Sequence, residues 1–146
     1  MGRNCNGLIP DYWRTKKIMS GWIGIDLDGT LAYYNGFKGA NIIGEPIPAM
    51  VERVKRMLAA GKTVKIFTAR FHGHGMPLIG GGTEDVVTPI KNWCLKYIGQ
   101  ELEVTNVKDF GMVTLYDDRC IQVETNTGRL IGSAKDRRRH IKPKTP

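Results

Sequence analysis

The fold is decided by the stretch Trp22-Ile23-Gly24-Ile25-Asp26-Leu27-Asp28-Gly29-Thr30-Leu31. It is an apolar run that carries two carboxylates two residues apart and then reaches a glycine. Such a run predicts a buried strand over about 22–27. Because side chains at i and i+2 of a strand share a face, Asp26 and Asp28 are expected to point the same way at its carboxyl end. An Asp-Gly turn after a core strand would explain Gly29, but it does not account for the paired acids.

An alternation of strands and helices follows this stretch. Apolar residues recur at helical spacing in two segments, and each segment is closed by a glycine, Gly61 or Gly99. The short link from the first helix to the second strand implies a right-handed crossover and a parallel sheet. The predicted fold is α/β, a three-layer Rossmann-like parallel sheet. Its elements are helices over 49–60 and 84–98, strands over 63–68, 102–105, 112–117 and 120–124, and a turn at 126–128.

Residues 32–48 are rich in glycine and proline, which predicts a loop or a small flap. The segment is too short for a full cap domain, so we expect an open site with minimal or no cap. Three aromatic residues, Tyr33, Tyr34 and Phe37, could stack on a base or sugar or could pack the flap itself. An open site would accept a large substrate or would need a partner to close it.

Composition is that of one globular domain. The chain has 146 residues, of which 41% are hydrophobic and 25% charged. It contains no apolar stretch near the ~18 residues that span a bilayer, and residues 1–20 lack the apolar core of a secretion signal. Three widely spaced cysteines suit reduced thiols. We therefore expect a cytoplasmic protein without membrane association.

The net charge of +8 belongs to the two ends of the chain. Residues 135–146 carry a net +5 and residues 1–20 a net +3, so the stretch between them is near neutral. We expect an N-terminal arm over 1–20, a domain over 21–134 and a basic tail over 135–146. The basic ends could make weak contacts with nucleic-acid phosphates, although a solvated tail would have the same composition.

Reactive side chains follow several of the predicted strands. In a parallel sheet, a binding site forms beyond the carboxyl ends of the strands. The second strand is followed by Thr68 and Arg70, a later strand by Lys108, and the next by the run Asp117-Asp118-Arg119. Together with Asp26, these groups are expected to meet at one crevice.

In this ordered combination, the chain resembles the haloacid dehalogenase superfamily of phosphotransferases over roughly 22–124. Asp26-Leu27-Asp28-Gly29-Thr30 matches the nucleophile signature of the superfamily, Thr68 its second motif, Lys108 its third and Asp117-Asp118 its acidic fourth. Within the superfamily, the chain resembles small capless phosphatases of bacteria and phages and, more distantly, polynucleotide 3′-phosphatases and deoxyribonucleotidases. The resemblance implies a phosphatase, because the dehalogenases lack an acid at the position of Asp28.

The resemblance also implies roles for the acids. Asp26 would attack phosphorus and form an aspartyl-phosphate, and Asp28 would be the general acid and base. Mg²⁺ would be held by the Asp26 carboxylate, the Asp28 backbone carbonyl and one of Asp117 and Asp118. We favour Asp118 as the direct ligand.

The remaining site residues are assigned to the phosphate. Thr68 and the backbone amides after Asp28, at Gly29 and Thr30, would bind the phosphoryl oxygens, although Thr68 could be an ordinary strand-end cap. Lys108 would offset the crowded negative charge, with Lys91 as the alternative. Two further residues, Arg70 and Arg119, could bind substrate phosphate or pair with the site acids.

The predicted function is a Mg²⁺-dependent phosphomonoester hydrolase. Its substrate would be a phosphorylated small molecule, such as a nucleotide, or a nucleic-acid end. One alternative is a nucleic-acid-binding or regulatory module that keeps the fold without turnover. The other is a phosphotransferase that passes the phosphoryl group to an acceptor other than water.

Overall fold

The computed structural model describes residues 21–71 and 85–132. The predicted arm over 1–20 and tail over 135–146, with their possible nucleic-acid contacts, lie outside the described residues. The chain divides into two compact units after Tyr116. Each unit is described here by itself.

The first unit contains the predicted alternation of strands and helices. Most boundaries agree within one to three residues, but β1 ends at Ile25, two residues earlier than the predicted strand over 22–27. Asp26 and Asp28 therefore stand in the turn that follows the strand. The elements are β1 Trp22–Ile25, α1 Pro48–Ala59, β2 Thr63–Phe67, α2 Val87–Tyr97, β3 Glu103–Thr105 and β4 Met112–Tyr116.

The four strands form one parallel sheet in the order β3-β2-β1-β4. In register, Ile25 at the end of β1 lies between Ile66 of β2 and Tyr116 of β4. The order is that of the first four strands of a doubly wound sheet, in which the chain builds outwards from β1 on one side and then returns to its other side. The structure thus confirms an α/β fold with a parallel, Rossmann-like sheet.

Both helices pack into one hydrophobic core. Alternate strand residues, among them Ile25, Val64 and Ile66, are buried in a single cluster with side chains of α1 and α2. Because side chains alternate along a strand, these residues share one face of the sheet. Within the described residues the helices cover this face, and a third layer remains a prediction. The helical members of the cluster include Val51, Val54, Ile90, Trp93 and Cys94.

The opposite face of the sheet begins with Trp22, which is buried. Lys65 lies 5.0 Å from the Trp22 ring centroid and pairs with Glu103 at 2.8 Å. The indole Nε1 donates a hydrogen bond to Asp109 at 2.7 Å, and this bond is the main reason that the Asp109 pKa lies below its ordinary value. The loop between β3 and β4 is therefore tied to the amino end of β1.

The helix ends follow their sequence signals. Pro48 is the first residue of α1, where its missing N–H costs nothing. Gly61 has a φ of 73°, and its N–H donates to the Leu58 carbonyl. The N–H of Lys62 donates to the Met57 carbonyl, and the two hydrogen bonds together form a Schellman motif. Among the described helices, none combines the length and the apolar character needed to cross a membrane.

The predicted loop or flap at residues 32–48 is a loop closed at its base. Ala32 pairs with Pro46 in an antiparallel bridge, and the Tyr33 N–H donates to the Glu45 carbonyl at 2.7 Å. A side chain at Gly44 would overlap the Tyr33 carbonyl, so the two arms approach closely only because this residue is glycine. We call residues 33–45 the flap.

The second unit contains a short antiparallel hairpin of β5 Gln122–Val123 and β6 Leu130–Ile131. The sequence predicted a strand here and the turn, but not β6. Arg129 holds the turn closed by donating to both carboxylate oxygens of Glu124, at 2.5 and 2.8 Å. This pair lowers the Glu124 pKa and raises the Arg129 pKa.

Candidate functional site

The turn after β1 is fixed by two leucines. Leu27 and Leu31 are fully buried in the core, and the Leu27 carbonyl accepts the N–H groups of Leu31 and Ala32 at 3.0 and 2.8 Å. Gly29 supplies the positive φ, 91°, that the turn requires. Leu27 is buried in the core, whereas Asp26 and Asp28 on either side of it are partly exposed at the edge of the core.

Asp26 stands where two strands end. Its backbone N–H donates to the carbonyl of Tyr116, the last residue of β4, at 2.9 Å. Its carboxylate accepts a hydrogen bond from the Thr30 hydroxyl at 3.3 Å. The gap between β1 and β4 is the topological switch point of this sheet, and ligands of open α/β sheets bind outside the strand ends at such points.

Asp28 forms a bidentate ion pair with Arg70. The guanidinium Nε lies 2.5 Å from one carboxylate oxygen and Nη2 lies 2.8 Å from the other. The side chains are 15% and 5% exposed, so the pair is largely removed from water. Of the two sequence hypotheses for Arg70, the structure shows the pairing with a site acid.

Arg70 also holds the flap. Its guanidinium donates to three flap carbonyls, those of Gly39, Ala40 and Ile42, at 3.3, 3.4 and 3.0 Å. The Phe37 ring lies against the same guanidinium, whose central carbon is 5.2 Å from the ring centroid. Arg70 thus joins the turn after β1 to the flap.

Thr68 follows β2 and is 2% exposed. Its N–H donates to the Thr105 carbonyl at the end of β3, at 3.0 Å, and its hydroxyl oxygen accepts the Arg70 N–H at 3.2 Å. The hydroxyl therefore caps the turn that leads from β2 to Arg70. Because it acts as an acceptor in this bond, it can still donate its own proton to another acceptor.

The two amides assigned to the phosphate take part in the turn itself. The Gly29 N–H donates to the Ala32 carbonyl at 2.8 Å, and the Thr30 N–H approaches the Leu27 carbonyl at 3.4 Å. In this arrangement, Gly29 and Thr30 stabilise the loop that carries Asp26 and Asp28.

In the part of the chain that is described, neither candidate lysine forms an ion pair with Asp26 or Asp28. Lys91 on α2 pairs with Glu101 at 3.5 Å, and Glu101 precedes the amino end of β3. Lys108 is exposed in the loop after the carboxyl end of β3, and the ion pairs between described residues do not include it. Its neighbour Asp109 is held by Trp22 at the other end of β1.

In the second unit, Asp117 and Asp118 follow the last residue of β4 directly in the chain. The Asp117 carboxylate accepts the Arg119 N–H at 2.7 Å, which forms a tight turn. Asp118 and Arg119 are exposed.

Sequence reasoning missed the carbonyl groups that organise this site. The flap carbonyls that bind Arg70 and the Tyr116 carbonyl that binds Asp26 belong to the backbone, and no residue type signals them. The glycines of the flap and the two prolines that follow it, Pro46 and Pro48, were the only available hint, because they mark a chain that turns back on itself.

Neither a family model, nor a curated protein, nor a solved structure matches this chain.

Proposed function

We propose that the chain is a Mg²⁺-dependent phosphomonoesterase of the haloacid dehalogenase type that works through an aspartyl-phosphate at Asp26. The observation that carries the proposal is the hydrogen bond from Asp26 to Tyr116, which brings together the carboxyl ends of β1 and β4 at the switch point. One of these ends continues into the Asp26-Leu27-Asp28 turn and the other into Asp117-Asp118.

Two displacements make up the reaction. A carboxylate oxygen of Asp26 attacks phosphorus, the bond from phosphorus to the ester oxygen breaks, and Asp28 gives that oxygen a proton. Asp28 then takes a proton from water as the water attacks phosphorus, and the bond to Asp26 breaks. The products are an alcohol and inorganic phosphate, and both carboxyl groups return to their starting state.

The ion pair with Arg70 constrains this role of Asp28. Both of its oxygens accept hydrogen bonds from Arg70, which fixes the direction in which the carboxylate faces. Because the carboxylate is ionised in this pair, Asp28 must first take up a proton and release one hydrogen bond from Arg70 before it can protonate the leaving oxygen. Arg70 is thus a positioning residue that orients the acid and base group.

The cation site is assigned by the chemistry of its donors. The Asp26 carboxylate, the Asp28 backbone carbonyl and Asp118 or Asp117 offer oxygen atoms alone, the donor type that Mg²⁺ prefers. A bound Mg²⁺ supplies positive charge that offsets the charge developing on the phosphoryl oxygens. The resemblance assigns the Thr68 hydroxyl, which follows β2, to donate to one of those oxygens, and it assigns Lys108 to offset their negative charge.

The experiment is a phosphatase screen with Mg²⁺ across sugar phosphates, nucleotides and oligonucleotides phosphorylated at the 3′ or 5′ end. We expect release of phosphate from at least one class, loss of activity with a chelator, and loss of activity in Asp26→Asn. Glu52→Gln, which removes a carboxylate exposed on α1, is the control and should retain activity. Absence of turnover together with tight, salt-sensitive binding of DNA would overturn the proposal, and a phosphorylated acceptor among the products would redefine it as a transferase.

A further inference from the structure

A pocket of about 580 Å³ lies between the flap and α2 in the first unit. Its volume is within the range of small-molecule sites. Its lining combines ring surfaces with hydrogen-bonding groups and includes Asn41, Glu45, Asp85, Asn92, Trp93 and Tyr97. None of these residues has a role in the proposed phosphoryl transfer.

The two walls of the pocket are fastened to each other. The Trp93 indole donates to the Gly44 carbonyl at 2.9 Å, and the Tyr97 hydroxyl lies 3.5 Å from a carboxylate oxygen of Glu45. The Trp93 and Tyr97 rings pack with centroids 4.9 Å apart, and Trp93 is 7% exposed. The flap and α2 are therefore joined directly at the pocket.

Hydrogen-bond acceptors dominate its polar lining. Glu45 and Asp85 contribute carboxylates, and Asn41 and Asn92 contribute amide carbonyls next to their own donors. The Asp85 carboxylate also accepts the first two N–H groups of α2, at 3.0 and 3.1 Å, which removes the usual attraction of a helix start for anions.

Among the described lining residues the basic group is Lys96, whose ammonium lies 4.7 Å from the Tyr97 ring centroid. Its hydrogen bond to Tyr97 is the main reason that the Lys96 pKa is raised. With two carboxylates against one ammonium, the described part of the lining disfavours a phosphate. It favours an uncharged planar ring that carries N–H donors, since such a ring can stack on aromatic surface and donate to the acceptors.

The pocket shares the flap with the candidate active site. Ile42, whose carbonyl accepts from Arg70 at 3.0 Å, lies between two lining residues, Asn41 and Ile43. The same guanidinium binds Asp28. A ligand of the pocket would therefore lie against the same flap that Arg70 fastens to Asp28.

We infer that this pocket binds the base of a nucleoside monophosphate, so that the substrate of the proposed phosphatase is a nucleotide; the assignment of a substrate rests on the proposed function. The recognised features are the flat face of the ring and an exocyclic amino group. Adenosine and cytidine have both features. Uridine lacks the exocyclic amino group, and ribose lacks the planar base altogether.

The test uses nucleosides, which carry no phosphate, and the unaltered full chain. Adenosine is titrated while the indole N–H signal of Trp93 is followed by NMR, after assignment with Trp93→Phe. We expect a saturable shift with adenosine, weaker binding of uridine, and no shift with ribose. Absence of a saturable shift with adenosine, or an equal response to ribose, would overturn the inference.

Two matched variants locate the binding. Asn92→Trp fills the pocket from α2 and should weaken adenosine binding by at least about tenfold. Leu95→Trp places the same side chain on the same helix at a position that is 52% exposed and outside the lining, and it should leave adenosine binding unchanged. Equal affinities of the two variants would place adenosine elsewhere and contradict the inference.

Binding of adenosine does not depend on the chemistry at Asp26. Adenosine binding without any phosphatase activity would retain the base pocket and reject the proposed function. Phosphatase activity on other esters, without adenosine binding, would retain the function and reject the base pocket.

Discussion

Arg70 binds both carboxylate oxygens of Asp28, across 42 residues of sequence, and the same guanidinium binds three carbonyls of the flap. One side chain thus orients the group assigned to proton transfer and fixes the flap that borders the base pocket. Arg is suited to this task because its planar fork offers five donors in fixed directions.

Arg70→Met should lower the free energy of unfolding by about 3 kcal/mol, because it leaves the largely buried Asp28 carboxylate without its partner. Urea unfolding measures this loss. The double variant with Asp28→Asn should lose less than the two single variants combined, since no buried charge is then left unpaired. Strict additivity would show that the ion pair contributes nothing specific.

Lys108→Ala should reduce kcat/KM for phosphate release by about 10²-fold if this lysine neutralises the phosphoryl oxygens. Lys91→Ala is the matched control, because Lys91 pairs with Glu101 near the amino end of β3 and should change kcat/KM by less than about twofold. Steady-state kinetics of both variants decides between them. A larger loss in Lys91→Ala would reverse the assignment.

Cys94 should make the fold less stable in alkali. Burial raises the pKa of its thiol from the ordinary value of 9.0 to about 12. Between these two values the unfolded thiol ionises while the folded one stays protonated, so stability should fall by roughly 1.4 kcal/mol per pH unit. Cys94→Ala should lose this part of the slope in urea unfolding from pH 8 to about 11. Identical slopes in both proteins would rule out a buried neutral thiol.

Asp109 should contribute stability that is lost in acid. Its pKa is lowered chiefly by the hydrogen bond from Trp22, so its contribution is present above the ordinary carboxyl pKa and disappears as the pH falls through the folded value. Asp109→Asn should flatten the acid side of the stability profile measured by chemical unfolding. Asp109→Asn should also shift the Trp22 indole N–H signal in NMR spectra of the folded state. Asp85→Asn, at a carboxylate that bonds to the first turn of α2, should leave that signal unchanged.

Local patterns were enough to predict most elements of this fold. The apolar run of β1, the spacing of apolar residues in α1 and α2 and the glycine after each helix depend on neighbours in the sequence. The early end of β1 at Ile25 was missed because Leu27 is buried like a strand residue, although it anchors a turn. The alternation of apolar residues alone does not distinguish a buried strand residue from a buried turn residue.

The contacts that make the candidate site depend on distant residues. Arg70 meets Asp28 across 42 residues and Trp22 meets Asp109 across 87, and neither pair has a local signal. The acids themselves were found from the sequence because two carboxylates after a buried strand need a compensating group. For Arg70 the sequence left two hypotheses open, binding of substrate phosphate and pairing with a site acid. The pairing with Asp28 became visible only in the packed structure.

The central claim is that Asp26 becomes phosphorylated during turnover. The direct measurement is to quench the protein during hydrolysis of a substrate found in the screen, reduce the acyl phosphate with borohydride and map the product by mass spectrometry. We expect homoserine at position 26 and no such product in Asp26→Asn. Steady release of phosphate with position 26 unmodified, or with the reduced residue at Asp28, Asp117 or Asp118, would contradict it.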